Sequence, residues 1–205
     1  MTRRVLYPLW LTASLLAMPA ARAAGDIDKI QPLLARPDVV CGQFQQAKTL
    51  LGLKNPVKSS GRFCVVPGKG VLWRTVRPFP SELRLARDEI VESQGGQVVK
   101  RLSAQQEPAI RMINGLLFSL LAGDLRQLDA LFELKASTSG RDWQAQLAPR
   151  DANLKRVIAA ISLSGADTVR RVAIVETSGD RTDIDFSATS QGRAAFQGDE
   201  AKQFD

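Results

Sequence analysis

Apolar and polar residues alternate with a period of two along most of this chain. In Gly70 to Pro80, Val71, Trp73 and Thr75 interleave with Leu72, Arg74 and Val76. β-Branched and aromatic residues at that period predict a strand with at least one buried face. Pro78 and Pro80 remove ladder donors, so the strand ends there and Arg77 stands at its terminus. Strands are likewise predicted over Cys41 to Leu51, Val57 to Val66, Leu83 to Ala86, Ile90 to Val91 and Gln97 to Leu102. Turn chemistry separates them at Asn55-Pro56, Pro67 to Gly70, Arg87 to Glu89 and Gln94 to Gly96. Further on, dry rows are predicted from Phe132, Leu134 and Ala136, from Trp143, Ala145 and Leu147, and from Val157, Ala159, Ile161 and Leu163. Val172 with Ile174, and Ile184 with Phe186, complete the series. About ten strands on short turns describe a large antiparallel sheet with one wet and one dry face, covered on one side.

Helical spacing occurs only at the start and in the middle. Ile27, Ile30 and Leu34 predict a helix over Asp26 to Ala35, with Asp26 and Asp28 at its positive end; Pro32 strains it and Pro37 ends it. Ser103 to Gln106 resembles a capping box. Ile110, Ile113, Leu117, Leu120 and Leu121 follow at helical spacing until Gly123 stops the helix. A second, shorter helix is predicted from Asp124, carrying Leu125, Leu128 and Leu131. Met112, Leu116 and Phe118 make the longer helix apolar nearly all round, while Arg111, Asn114 and a length of about four turns argue against a membrane span. Two roles are open to these helices: plain core, or the cover of an apolar face that is not completely filled.

With 205 residues, 44% of them hydrophobic and 24% charged, the chain suits one domain with a substantial core. Residues 1–23 are set apart. Arg3 and Arg4 precede an apolar run from Val5 to Met18, and Ala21-Arg22-Ala23 offers small residues to a signal peptidase. Cleavage is expected after Ala23, giving an exported domain over residues 24–189 and a polar tail over 190–205 in which Phe196 is the expected anchor. Loss of Arg3, Arg4 and Arg22 lowers the formal charge from +7 to +4. That balance comes without an aromatic-rich basic motif, which argues against nucleic acid as a partner. Cys41 and Cys64 are the two cysteines, and in an oxidising compartment they are expected to pair. Folding the two strands about Leu51 to Lys54 sets Cys41 opposite Cys64, Gln43 opposite Arg62 and Phe44 opposite Gly61. Phe44 and Phe63 then share one face, and the cysteines share the other with Arg62.

The chain contains no histidine, which removes a Ser-His-Asp triad, a Cys-His pair and the commonest metal ligand at once. Asp183 and Asp185 lie on one strand face, where paired carboxylates are usually just solvated. No phosphate-binding loop or calcium loop is present in the sequence. Binding is therefore expected rather than catalysis, without a metal or cofactor.

The order of these pieces resembles the LolA-like periplasmic lipoprotein carriers. It runs from a first helix through Gln43-Phe44-Gln45, Gly61-Arg62-Phe63, Gly70 to Arg74 and Arg77-Pro78 to a mid-chain leucine helix. The resemblance spans most of residues 26–188 and is nearest to divergent carriers that accompany lipid or aryl-polyene exporters. It implies an α+β fold, an incomplete antiparallel β-barrel of about 10–11 strands with helices over its apolar concave face. It also implies acyl-chain cargo, an inner-membrane exporter, an outer-membrane acceptor and a monomer. The gating arginine of the family corresponds to Arg77; its spacing from Trp73 is one residue longer here, which admits a bulge and makes Arg74 a rival. The expected lining is Phe44, Phe63, Leu72, Leu85, Leu117, Leu120, Trp143, Ile161 and Phe186. A lipid-sensing interaction module on the same half-barrel is the alternative. Mass spectrometry of the exported protein is expected to give Ala24 as its first residue; an intact Met1 would refute the leader.

Overall fold

The computed structural model describes residues 26–86, 89–103, 119 and 125–204. Eleven strands form one antiparallel sheet: β1 Val40–Thr49, β2 Val57–Val66, β3 Gly70–Arg77, β4 Ser81–Ala86, β5 Glu89–Gln94, β6 Gln97–Ser103, β7 Phe132–Ser139, β8 Asp142–Pro149, β9 Ile158–Gly165, β10 Val169–Glu176 and β11 Arg181–Gln191. Their order is β6-β5-β4-β3-β2-β1-β11-β10-β9-β8-β7, so β6 and β7 are edges and the barrel is incomplete. Each half is a meander of neighbours in sequence, and the two halves meet where β1 pairs with β11.

Alternation decides the faces. Across the first half, Val40, Val65, Val71, Leu85, Ile90 and Leu102 are successive cross-strand partners, one apolar row over six strands. Across the second half, Ile184, Val172, Leu163, Ala145 and Ala136 do the same. All of these but Leu102 belong to or pack against a single core cluster on what we call the inner face. Ile27, Ile30 and Leu34 from the N-terminal segment, with Leu125 and Leu128, complete that cluster. Helical segments therefore cover the inner face, as layer packing requires of a sheet with one apolar side.

The cover departs from the predicted helices. The α-helix α1 stops at Asp26–Ile30, and Gln31–Leu33 continues as a 3-10 turn with Pro32 inside it. The tighter turn accommodates a proline that an α-helix interior would not. The shorter helix expected from Asp124 is a 3-10 turn, Leu125–Leu128. Buried Gln31 fastens the two pieces, its Oε1 accepting a hydrogen bond from the Leu125 N–H at 3.0 Å. Of the long leucine helix only Ser119 is among the described residues, and it is helical and buried. Leu117 and Leu120 lie outside them. Among the described residues no helix is long and apolar enough to cross a membrane.

One predicted row breaks. Val157 precedes β9 and is exposed, Ala159 is exposed, and Ile158 is buried instead. The register shifts between Val175 and Glu176, and this irregularity flips the side chains beyond it while Ile161 and Leu163 keep the inner face. Glycine permits several close approaches, two of them beside aromatic rings. A Cβ on Gly42 would stand 2.9 Å from the Phe63 ring, and one on Gly165 would stand 2.1 Å from the Thr168 carbonyl oxygen. The absent Cβ at Gly165 leaves room for Trp143, fully buried, whose Nε1–H donates to the Ala166 carbonyl at 2.7 Å.

The outer face carries the disulfide. Cys41 and Cys64 are bonded, at directly opposed positions of β1 and β2, in the register predicted from sequence. Substituting both by serine is expected to lower stability by about 3 kcal/mol, since the bridge closes a loop of 23 residues in the unfolded chain. Urea unfolding measures this, and an unchanged midpoint would show that the outer-face contacts alone hold the hairpin.

Candidate functional site

The inner face concentrates aromatic surface at the middle of the sheet. Phe44 stacks on Trp73 with ring centroids 3.8 Å apart and planes 25° apart. Phe186, the cross-strand partner of Phe44, meets Phe63 edge-on at 5.0 Å and Trp73 at 6.1 Å. Such edge and offset contacts are favoured by the ring quadrupoles. Phe44, Phe63 and Phe186 are buried, whereas Trp73 and its partner Leu83 are half-buried and line the edge of the cluster. Ile174 and Leu134 hold the same intermediate position in the other half. Among the expected lining residues, Phe44, Phe63, Leu85, Trp143, Ile161 and Phe186 come together in this one cluster.

Leu72 does not. It lies opposite Cys64 and belongs to the outer cluster with Val39, Cys41, Ala195 and Phe204. Its expected place on the inner face is incompatible with Val71 and Trp73 both pointing there, because neighbours on a strand face opposite ways.

Arg77 is also displaced. Thr75 pairs with Gly61 and Arg77 with Ser60, so Val76 is the extra residue of a bulge. The longer Trp73-to-Arg77 spacing has this cause. Pairing with Ser60 puts Arg77 in the outer row that contains Arg62 and Cys64, and it is exposed. Among the described residues its side chain makes no hydrogen bond or ion pair, and the mid-chain segment that a gating arginine would clasp lies outside them. Arg74 is engaged on the outer face, 2.5 Å from Glu82 and 2.8 Å from Asp199. Burial alone would lower its pKa, but the hydrogen bonds to Glu82 and Asp199 raise it. Neither arginine touches the inner cluster.

Arg74 leads instead to a feature that the sequence reading missed. β11 runs to Gln191, past the expected start of the tail, and residues 192–204 fold back over the disulfide as two 3-10 turns, Arg193–Ala195 and Glu200–Phe204. Phe196 and Phe204 pack together with centroids 5.7 Å apart, confirming Phe196 as an anchor and adding a second. Glu200, only 2% exposed, receives Arg62 Nε at 2.6 Å, Arg62 Nη2 at 3.2 Å and its own turn's Gln197 N–H at 2.8 Å. Arg62 also donates to the Ala195 carbonyl at 2.6 Å. A buried carboxylate is tolerated because the Arg62 guanidinium and the Gln197 N–H both donate to it. Its Oε2 lies 3.2 Å from Cys64 Sγ, so Cys41, Cys64 and Glu200 form a group of potential metal ligands. The disulfide occupies both sulfurs, and the guanidinium competes for the carboxylate; the group offers a metal no thiolate. Phe196 and Phe204, two aromatics in an otherwise polar tail, were the available signal. Asp183 and Asp185 fall on the outer face in an ion-pair cluster with Arg171 and Arg181. The Arg181 hydrogen bond holds the Asp183 carboxyl below its usual range.

An open antiparallel half-barrel with an apolar inner face and helical cover defines the fold class. The chain belongs to the outer membrane lipoprotein carrier protein LolA-like family, whose model matches residues 19–203. No curated protein sequence matches it. Among solved structures it is similar to a LolA superfamily protein of Nitrosomonas europaea, at 10% identity and a TM-score of 0.48, over 89% of this chain and 98% of that one. It is similar to the MucA/MucB complex structure of Pseudomonas aeruginosa at 15% identity and 0.47, spanning 87% of this chain but 60% of that one. A domain of a putative outer membrane lipoprotein-sorting protein from Vibrio parahaemolyticus matches at 10% and 0.42, over 86% and 95%.

Two predictions concern the docked tail. Glu200→Ala leaves Arg62 without its partner and is expected to cost about 3 kcal/mol. Hydrogen exchange should then show residues 192–204 losing protection before the sheet does. The Arg74 hydrogen bond holds Asp199 below the usual carboxylate range. Its contribution is complete above the unfolded aspartate value of about 3.9 and is lost as pH falls through the lower folded value. An NMR titration of the Asp199 carboxyl with an ordinary midpoint would remove this link.

Proposed function

We propose that the protein is a periplasmic carrier that takes up acyl chains of a lipoprotein or lipid between the inner face and its helical cover, and delivers them across the periplasm. The observation that carries this reading is the border of half-buried apolar side chains, Trp73, Leu83, Ile90, Ile174 and Leu134, packed against the buried inner core. Apolar surface so placed can exchange contact with the cover for contact with hydrocarbon. Burying hydrocarbon is worth about 0.8 kcal/mol per CH₂, so loading needs no covalent step and release is the harder half of the cycle. Family membership supports the reading, in which an inner-membrane exporter would load the carrier and an outer-membrane acceptor would unload it.

Native mass spectrometry of the protein recovered from the periplasm is expected to show bound acylated species that depart to acceptor membranes. Trp73→Ala should weaken acyl binding by about tenfold, as expected for the loss of much of a large aromatic contact. Arg77→Leu should leave loading unchanged, because Arg77 faces away from the inner cluster. Protein that never carries or binds an acyl chain would overturn the proposal; acyl binding without transfer would leave a lipid sensor in its place.

A further inference from the structure

Strand direction alternates across the sheet, so the β1–β2, β3–β4, β5–β6, β8–β9 and β10–β11 connections all open at one end. The β1–β2 and β10–β11 loops touch there, where the Leu51 N–H donates to Asp180 Oδ1 at 2.8 Å. Among the described residues, every large hydrophobic side chain that is exposed belongs to this end. They comprise Leu51, 78% exposed, with Leu53 and Val57; Val76 and Phe79, 81% exposed; Val98 and Val99 just after the β5–β6 turn; and Val157. The opposite end, with the β2–β3, β7–β8 and β9–β10 turns, has none among the described residues. Scattered exposed apolar residues are ordinary, but complete segregation to one rim of a sheet is not.

Cations outnumber acids among the groups at this end that form no ion pair. Lys54, Lys58, Arg77, Lys155 and Arg156 form no ion pair among the described residues. Of the acids nearby, Glu176 pairs with Lys48 and Asp183 with Arg181, while Asp151 caps the helical turn Ala152–Lys155 and Asp180 accepts from the Leu51 N–H.

We propose that this end is a membrane-contact rim that seats on the surface of an anionic lipid bilayer. Short apolar protrusions from several separate loops at one height suit a flat, fluid partner; they would enter the headgroup layer while the unpaired cations meet lipid phosphates. The inference is independent of the cargo, since it uses no residue of the inner core cluster.

Vesicle flotation tests it, with the full chain as its host processes it and liposomes of phosphatidylcholine with or without phosphatidylglycerol. The parent is expected to float with the phosphatidylglycerol vesicles and much less with phosphatidylcholine alone. Combined Leu51→Ser, Leu53→Ser and Phe79→Ser should weaken partitioning by at least about tenfold. Combined Lys54→Gln, Lys58→Gln and Arg156→Gln should weaken it on the order of a hundredfold at low salt, with a difference that shrinks as salt rises. All six positions are exposed, so circular dichroism and the melting temperature should be those of the parent. Flotation unchanged in both variants, or a parent that does not float, overturns the proposal. Equal flotation on both vesicle types also overturns it. A parent that self-associates without lipid, and becomes monomeric in the serine variant, would assign the rim to a second copy instead.

Discussion

The double pairing of β1 is the constraint on which the rest of the structure depends. On one side β1 meets β2, its neighbour in sequence; on the other it meets β11, which arrives from the far end of the domain. Without the second ladder the chain would be two separate meanders, of six and of five strands. With it, Phe44 and Phe186 become partners, and the aromatic cluster forms at the seam between halves. The seam also contains an irregularity. Cys41 pairs with Ser190 and Gln43 with Ser187, and Ala188 adopts a positive φ of 48° within the extra length. The bulge keeps Phe186 on the inner face while the strand reaches Gln191.

The two faces do different work because the register fixes them together. β1, β2 and β3 turn Val40, Val65 and Val71 inward, so Cys41, Cys64 and Leu72 must turn outward. The outward row is then apolar in its own right, and exposed it would be a liability. Residues 192–204 resolve this by covering it, tied through Arg62 to Glu200 and through Arg74 to Asp199. Sheet and tail are thus one consequence of a single choice of register, with apolar inner surface left for the helices and apolar outer surface closed by the C-terminal segment.

Much of this was legible in sequence because period-two alternation is a strong local signal. It located the strands and gave the Cys41 to Cys64 register outright. It failed where one residue is inserted: near Ile158, where a register shift reverses the faces, and at Val76, which moves Arg77 to the outer row. Such bulges leave composition unchanged and depend on the partner strand, so a single strand read alone does not contain them. Leu72 was misplaced for a simpler reason, since an apolar residue between two inward ones suggests a thicker core unless something is known to cover the other side. The covering tail was hidden because Glu200 and Asp199 look like solvated charge until Arg62 and Arg74 are brought beneath them in space.

The sheet does not close, and among the described residues β6 and β7 stand at its two edges. An unpaired edge is a template on which a strand from another molecule can assemble. Both edges carry charge: Lys100 and Arg101 on β6, Glu133 and Lys135 on β7. Adding a second molecule along either edge in register would stack like charges at close range. The chain can therefore keep the gap that an open barrel requires without that gap becoming the seam of an aggregate.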